Sequence, residues 1–99
     1  LGFNCPLVGH VGDGNFHLII PFYPDNKAQV EAANELSHYL VQQAIALQGT
    51  CTGEHGIGLR KKAYLLEEHG AHAVNTMALI KRALDPKNIM NPGKIFDLC

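Results

Sequence analysis

Gly9-His10-Val11-Gly12-Asp13-Gly14-Asn15-Phe16-His17 is the stretch on which the fold turns. Its Asp13-Gly14 centre is a strong short-range hairpin signal, because a two-residue turn of that kind needs residues that tolerate positive φ. Residues 6–11 read as a short buried strand. Residues 16–22, rich in Ile and Leu, read as its partner, stopped by Pro21 and Pro24. With Asp13 and Gly14 at the two central positions, Gly12 faces Asn15, Val11 faces Phe16 and His10 faces His17. Directly opposed residues project to one side with Cβ atoms about 4.5–5.5 Å apart, so the turn offers two imidazoles to one ligand. In an uninterrupted strand their odd separation would send them to opposite faces. A three-residue loop would break this register.

Beyond Pro24, Asp25 is placed to cap a helix over residues 26–48. Val30, Ala33, Leu36, Leu40, Ala44 and Leu47 form one apolar stripe along it, and Gly49 supplies its stop. Residues 50–52 are polar and partly β-branched, a short strand that delivers Gly53-Glu54-His55-Gly56-Ile57-Gly58. A helix over 59–69 ends at Gly70. The next, over 71–84, carries Val74, Met77, Ile80 and Leu84 on one side, with Lys81 and Arg82 in its last turn, where the helix dipole favours cations. Asp85-Pro86 closes it, and Asn91-Pro92-Gly93-Lys94 is a turn. The fold class is α+β: a small antiparallel sheet of about two to four strands, its hairpin near the N-terminus, packed with three helices that dominate the C-terminal half.

A length of 99 residues fits one small domain, and 17% charged against 46% hydrophobic residues is an ordinary globular composition. The net charge of -1 and the absence of any basic run longer than Arg60-Lys61-Lys62 argue against nucleic acid or an anionic membrane surface as partner. No apolar run approaches the roughly 20 residues of a membrane span. Cys5, Cys51 and Cys99 are odd in number and lack CxxC spacing, which favours a reducing, cytoplasmic compartment over a disulfide framework. There is no cationic-then-apolar leader, and the opening at Leu1 reads as a piece cut from a longer chain. Such a piece should leave a sheet edge and an apolar patch open, through which a homo-oligomer could form.

The chemistry is carried by four side chains. Two imidazoles, His10 and His17, and one carboxylate, Glu54, suit an open site for Zn²⁺, Mn²⁺ or Fe²⁺, and the donors do not choose among these. His55 follows Glu54 directly, and two neighbours do not easily point the same way, which leaves His55 to act as a general base. Blander roles stand beside these: a packed or surface His pair, a solvated loop glutamate, and a His55 that only hydrogen-bonds its neighbours. Asp13 and Asn15 are turn residues that bond their own backbone. His38, His69 and His72 lie on helices without ligand spacing, as solvated or capping residues. Neither glycine run is a nucleotide fingerprint, for want of a third glycine in one and a Lys-Ser/Thr in the other. From the residues alone three classes stay open: a metal-bearing enzyme, a self-standing metal-binding or metallohydrolase domain, and a structural interaction domain.

Three runs in order, Gly9 to His17 as quoted, Gly49-Thr50-Cys51-Thr52-Gly53-Glu54-His55-Gly56-Ile57-Gly58, and Leu84-Asp85-Pro86-Lys87-Asn88-Ile89-Met90-Asn91-Pro92-Gly93-Lys94-Ile95-Phe96, resemble the C-terminal region of flavin-linked D-2-hydroxyacid dehydrogenases. That group includes cytochrome-type D-lactate dehydrogenases and the glycolate oxidase D subunit, in the vanillyl-alcohol-oxidase superfamily. The resemblance implies that residues 1–99 are the C-terminal part of a substrate (cap) domain, with the FAD-binding domain absent from these residues. It implies that His10, His17 and Glu54 hold zinc or manganese and that His55 takes the hydroxyl proton as hydride passes to FAD. It also places Asn91 near the flavin. Electrons would go on to a quinone or cytochrome at the periphery of the inner membrane. Some D-2-hydroxyglutarate relatives have an asparagine where this chain has Ile19, which leans the substrate toward a small monocarboxylate such as D-lactate or glycolate. The resemblance further implies that the 99 residues alone do not turn over.

Overall fold

A computed structural model describes residues 4–98. The chain divides into two compact units, residues 1–49 and 50–99. Among the described residues, helices are joined by one two-stranded antiparallel sheet, as the α+β expectation requires.

In the first unit β1 (Leu7–Val8) pairs with β2 (His17–Leu18), and Leu7 faces Leu18 while Val8 faces His17. The strands are much shorter than the stretches 6–11 and 16–22, and the register is not the expected one. His17 lies across from Val8, and His10 lies across from Asn15, whose N–H donates to the His10 carbonyl at 3.3 Å. The cause is the turn. A two-residue type I′ turn needs positive φ at both central residues. Gly14 has φ 76°, but Asp13 is not among the positive-φ residues, so Val11–Asp13 winds instead into one 3-10 turn with Gly14 as its left-handed exit. The Asn15 side chain completes the lock, its Oδ1 accepting the His10 N–H at 3.1 Å where a cross-strand carbonyl would ordinarily serve. Gly9 is needed for closeness: a Cβ there would lie 2.5 Å from the Asn15 carbonyl oxygen and 2.7 Å from the Phe16 Cα.

Helix α1 (Lys27–Ala46) starts one residue later than expected, because Asn26 and not Asp25 is the cap. The Asn26 side chain accepts the Gln29 N–H at 3.2 Å, and Gln29 in turn takes the Tyr23 N–H at 2.9 Å. At the other end Gly49 N–H bonds Ala44 O and Gln48 N–H bonds Ile45 O, the paired bonds of a Schellman stop. Its left-handed residue is Gln48 (φ 64°), while Gly49 is held against the Ala44 carbonyl, where a Cβ would sit at 2.9 Å.

The second unit opens with the loop 50–58, in which no strand forms over 50–52. Helix α2 (Lys62–Leu84) then carries Gly70 at φ 83°, ψ 165°, a conformation essentially reserved for glycine. The two helices expected to meet at Gly70 are therefore two arms of one broken element, the first beginning at Lys62 rather than at Leu59. Asp85 closes α2 and organises the tail. Its buried carboxylate accepts the Ile89 N–H at 3.1 Å and the Met90 N–H at 2.9 Å, and it pairs with Lys81, whose ammonium also reaches Met90 O at 2.7 Å. The Lys81 hydrogen bond, helped by the two N–H groups against the opposing effect of burial, holds the Asp85 carboxyl below its ordinary 3.8.

The core is thin. Ala33 and Val41 are buried in the first unit and Cys51, Leu65 and Ala78 in the second, and among the described residues no large side chain is fully enclosed. Apolar side chains stand open instead, with Leu7 65% and Val11 87% exposed on the hairpin and Leu84 80% at the end of α2. Cys5 and Cys51 are free thiols, and Cys99 lies outside the described residues. Among those residues no helix is long and apolar enough to cross a membrane.

Two outcomes follow from these contacts. Gly9→Ala should cost about 1–3 kcal/mol in urea unfolding by forcing the strands apart, whereas Gly12→Ala, with nothing within 4 Å of the added Cβ, should cost far less. Because the Asp85 carboxyl is depressed on folding, the stability it contributes is complete above its ordinary value and disappears as pH falls below about 4. Thermal midpoints recorded from pH 7 to pH 2 should therefore drop in acid, and Asp85→Asn should be less stable at pH 7 with a shallower acid decline.

Candidate functional site

The hairpin sets the geometry of the two histidines. Carried outward from the strands, the register puts His10, Asn15 and His17 on one face of the ladder, with His10 and His17 as diagonal neighbours. Diagonal neighbours are about 7–8 Å apart at Cα, within reach of long or aromatic side chains. The expected direct opposition of His10 and His17 is lost. His10 is exposed and His17 half-buried.

Glu54 and His55 lie in the loop 50–58, which bends through Gly53 to His55 and turns left-handed at Gly56 (φ 80°) and Gly58 (φ 56°). The bend overturns the expectation that these neighbours diverge. His55 Nε2 comes within 3.7 Å of Glu54 Oε1, with the imidazole 78% and the carboxylate 41% exposed. A water-accessible carboxylate such as Glu54 and hairpin imidazoles such as His10 and His17 are each, by their chemistry, donor types suited to a divalent first-row cation.

The loop is fastened at both ends. At its start Glu68 Oε1, on α2, takes the Cys51 N–H at 2.5 Å, and the Lys61 ammonium donates to the Cys51 carbonyl at 2.7 Å. The Thr52 hydroxyl donates to Gly56 O at 3.1 Å across the bend. At the far end the Ile95 N–H donates to Gly58 O at 2.8 Å. Ile95 itself has φ 68°, a strained setting for a β-branched residue. Burial would raise the Glu68 carboxyl, but the Cys51 N–H, the Thr50 hydroxyl, His69 and the Cys51 thiol together outweigh it and hold the carboxyl below its ordinary 4.5. Burial first, and then the Glu68 charge, push the Cys51 thiol above 9.0, so it stays protonated at neutral pH.

Sequence reasoning missed this fastening. Glu68, Lys61 and Cys51 carry no motif of their own, and Cys51 and Glu68 are brought together only by the fold. His69, expected to be a solvated or capping residue, keeps a 42% exposed side chain and pairs with Glu68 at 2.8 Å. Asn91 is exposed on the tail turn with φ 46°, its carbonyl accepting the Lys94 N–H at 3.3 Å. A cavity of about 310 Å³ in the second unit is lined by Arg82, Asp85, Pro86, Asn88, Gly93, Asp97 and Leu98, and it includes none of the expected site residues.

Comparison with known proteins agrees with the three motifs. Residues 1–95 match the family described as FAD linked oxidases, C-terminal domain. The chain is 50% identical over 91 residues to a protein of Arabidopsis thaliana named D-lactate dehydrogenase (cytochrome), mitochondrial, covering 92% of this chain and 16% of that one. It is 41% identical over 88 residues to glycolate oxidase subunit GlcD of Bacillus subtilis, covering 89% and 19%. It is 39% identical over 98 residues to D-2-hydroxyglutarate dehydrogenase of Xanthomonas citri, covering 96% and 21%. The chain thus spans about a sixth to a fifth of the length of these relatives. With its hairpin, its glycine loop and its tail turn all inside the matched residues, the chain belongs to the C-terminal domain family of the FAD linked oxidases.

Proposed function

We propose that this chain is the C-terminal part of the substrate domain of a flavoprotein that oxidises a small D-2-hydroxy acid, D-lactate or glycolate, to the 2-oxo acid. The observation that carries this is the family match over residues 1–95, supported by relatives named for D-lactate and for glycolate. Ile19, two residues beyond His17, favours a monocarboxylate over a dicarboxylate in this proposal.

The chemistry that FAD supplies when bound is acceptance of the hydride from the substrate's α-carbon. His10, His17 and Glu54 are the residues that would hold a divalent cation, zinc or manganese, which would supply Lewis acidity toward the hydroxy acid. His55 takes the proton of the substrate hydroxyl on its imidazole, which its exposure leaves accessible. Asn91 offers its amide to the flavin from the tail turn. The exposed apolar side chains of the hairpin and of α2 are covered by the remainder of the longer chain, and in the isolated piece they drive self-association. Electrons pass on to a cytochrome or quinone, in a reducing compartment at the periphery of the inner membrane.

Full-length protein loaded with FAD should reduce an artificial dye with D-lactate or glycolate and carry a stoichiometric cation. His10→Ala, His17→Ala and Glu54→Ala should each lose the cation and the activity together. His55→Ala should keep the cation while kcat falls by roughly 10²–10⁴-fold. Residues 1–99 alone should be inert even with added FAD. Dye reduction by that isolated piece, or fully active wild-type protein free of any divalent cation, would overturn the proposal.

A further inference from the structure

We propose that Glu68 is a positioning residue that, through the Cys51 peptide, fixes where the loop 50–58 presents Glu54 and His55. This rests on the assignment of those two side chains to the site, and it concerns a residue that touches neither substrate nor cofactor.

The grip is on the backbone. Glu68 Oε1 lies 2.5 Å from the Cys51 nitrogen, and Lys61 Nζ lies 2.7 Å from the Cys51 oxygen, so both polar groups of one residue are held by side chains of opposite charge. A charged acceptor on an N–H makes a shorter, stronger bond than a carbonyl does. Cys51 is 5% exposed, so water has little access to replace either partner. The other Glu68 oxygen is oriented by His69 at 2.8 Å, and the Glu68 side chain is only 12% exposed. Glu54 follows Cys51 by three residues. Between them the backbone bends, and the Thr52–Gly56 bond closes the bend.

With the far end tied at Gly58 by Ile95, the loop has two fixed ends and one internal brace. Losing Glu68 frees the Cys51 N–H and the Thr50 hydroxyl together and leaves Lys61 alone on the Cys51 carbonyl, which lets Glu54 and His55 swing together. Residues that orient a ligand in this way commonly affect metal affinity or activity by about 10–100-fold. A residue that merely joined loop to helix would alter melting behaviour and leave the chemistry of folded protein intact.

The test uses the full-length FAD-loaded protein with Glu68→Ala and Glu68→Gln, assayed well below their melting temperatures. Glu68→Ala should lower kcat for D-lactate by roughly 10–100-fold and weaken Mn²⁺ binding by a similar factor. Amide exchange across 51–56 should quicken while α2 stays protected. Glu68→Gln, which keeps an acceptor for the Cys51 N–H, should recover most of the loss. Wild-type kcat, Mn²⁺ affinity and loop exchange in Glu68→Ala would overturn the proposal even if its melting temperature fell, and so would a Gln variant no better than Ala. Wild-type protein that neither binds Mn²⁺ nor oxidises D-lactate would instead sink the assigned function, and exchange at 51–56 would still decide whether Glu68 holds the loop.

Discussion

The Glu68 carboxylate gives up most of its water and receives in exchange the Cys51 N–H, the Thr50 hydroxyl and His69. Desolvation alone would favour its neutral form. That the carboxyl is depressed instead means the hydrogen bonds exceed the desolvation cost. The balance is needed because the loop 50–58 has almost no apolar means of attachment: of its residues Cys51 alone is buried, and Thr52 and Ile57 are half-buried. A glycine-rich segment loses much backbone entropy on ordering. Bonds to a charged acceptor and a charged donor are the strongest local compensation on offer, and they act at the peptide that leads into Glu54 and His55.

The same logic recurs at the end of α2. Asp85 collects two peptide N–H groups and Lys81, and so turns the chain from helix into tail. Both hubs are carboxylates serving backbone donors, Asp85 buried and Glu68 half-buried, in a molecule whose apolar core consists of small or isolated side chains. Polar fastening here does what packing does elsewhere. The complement is the exposed apolar surface: Leu7, Val8 and Val11 project from a strand and turn that read as buried sequence, yet all stand open. Exposed apolar residues gathered in one stretch are the kind of surface that contacts commonly use, and the chain spans about a sixth to a fifth of the length of its relatives.

What was legible in the sequence was local. Gly70 announced a break, and its φ of 83° with ψ of 165° is a conformation that other residues resist. The 3.6-residue stripe gave α1 to within two residues at either end, and the cap moved from Asp25 to Asn26 because the neighbouring side chains are equally good acceptors and only geometry picks one. Strand lengths were not legible, since apolar runs such as 16–22 specify burial and not pairing. Glu68 and Lys61 were invisible for a different reason, and Asp85 was legible only as the helix stop and not as the hub of the tail. Each is an ordinary charged residue on or beside a helix until the chain folds, and its importance comes from a peptide group elsewhere that no pattern marks.

The turn separates two properties of a hairpin, which residues stand opposite one another and which share a face. A two-residue turn at Asp13-Gly14 pairs His10 with His17, whereas the observed 3-10 turn pairs His10 with Asn15. The two registers differ by two residues, an even number, and side chains alternate with period two. The histidines therefore share a face in both arrangements, whereas a slip of one would have sent them apart. What changes is the span. From direct opposition at about 5 Å the pair opens to a diagonal of about 7–8 Å, with Asn15 seated between and spent on the His10 N–H.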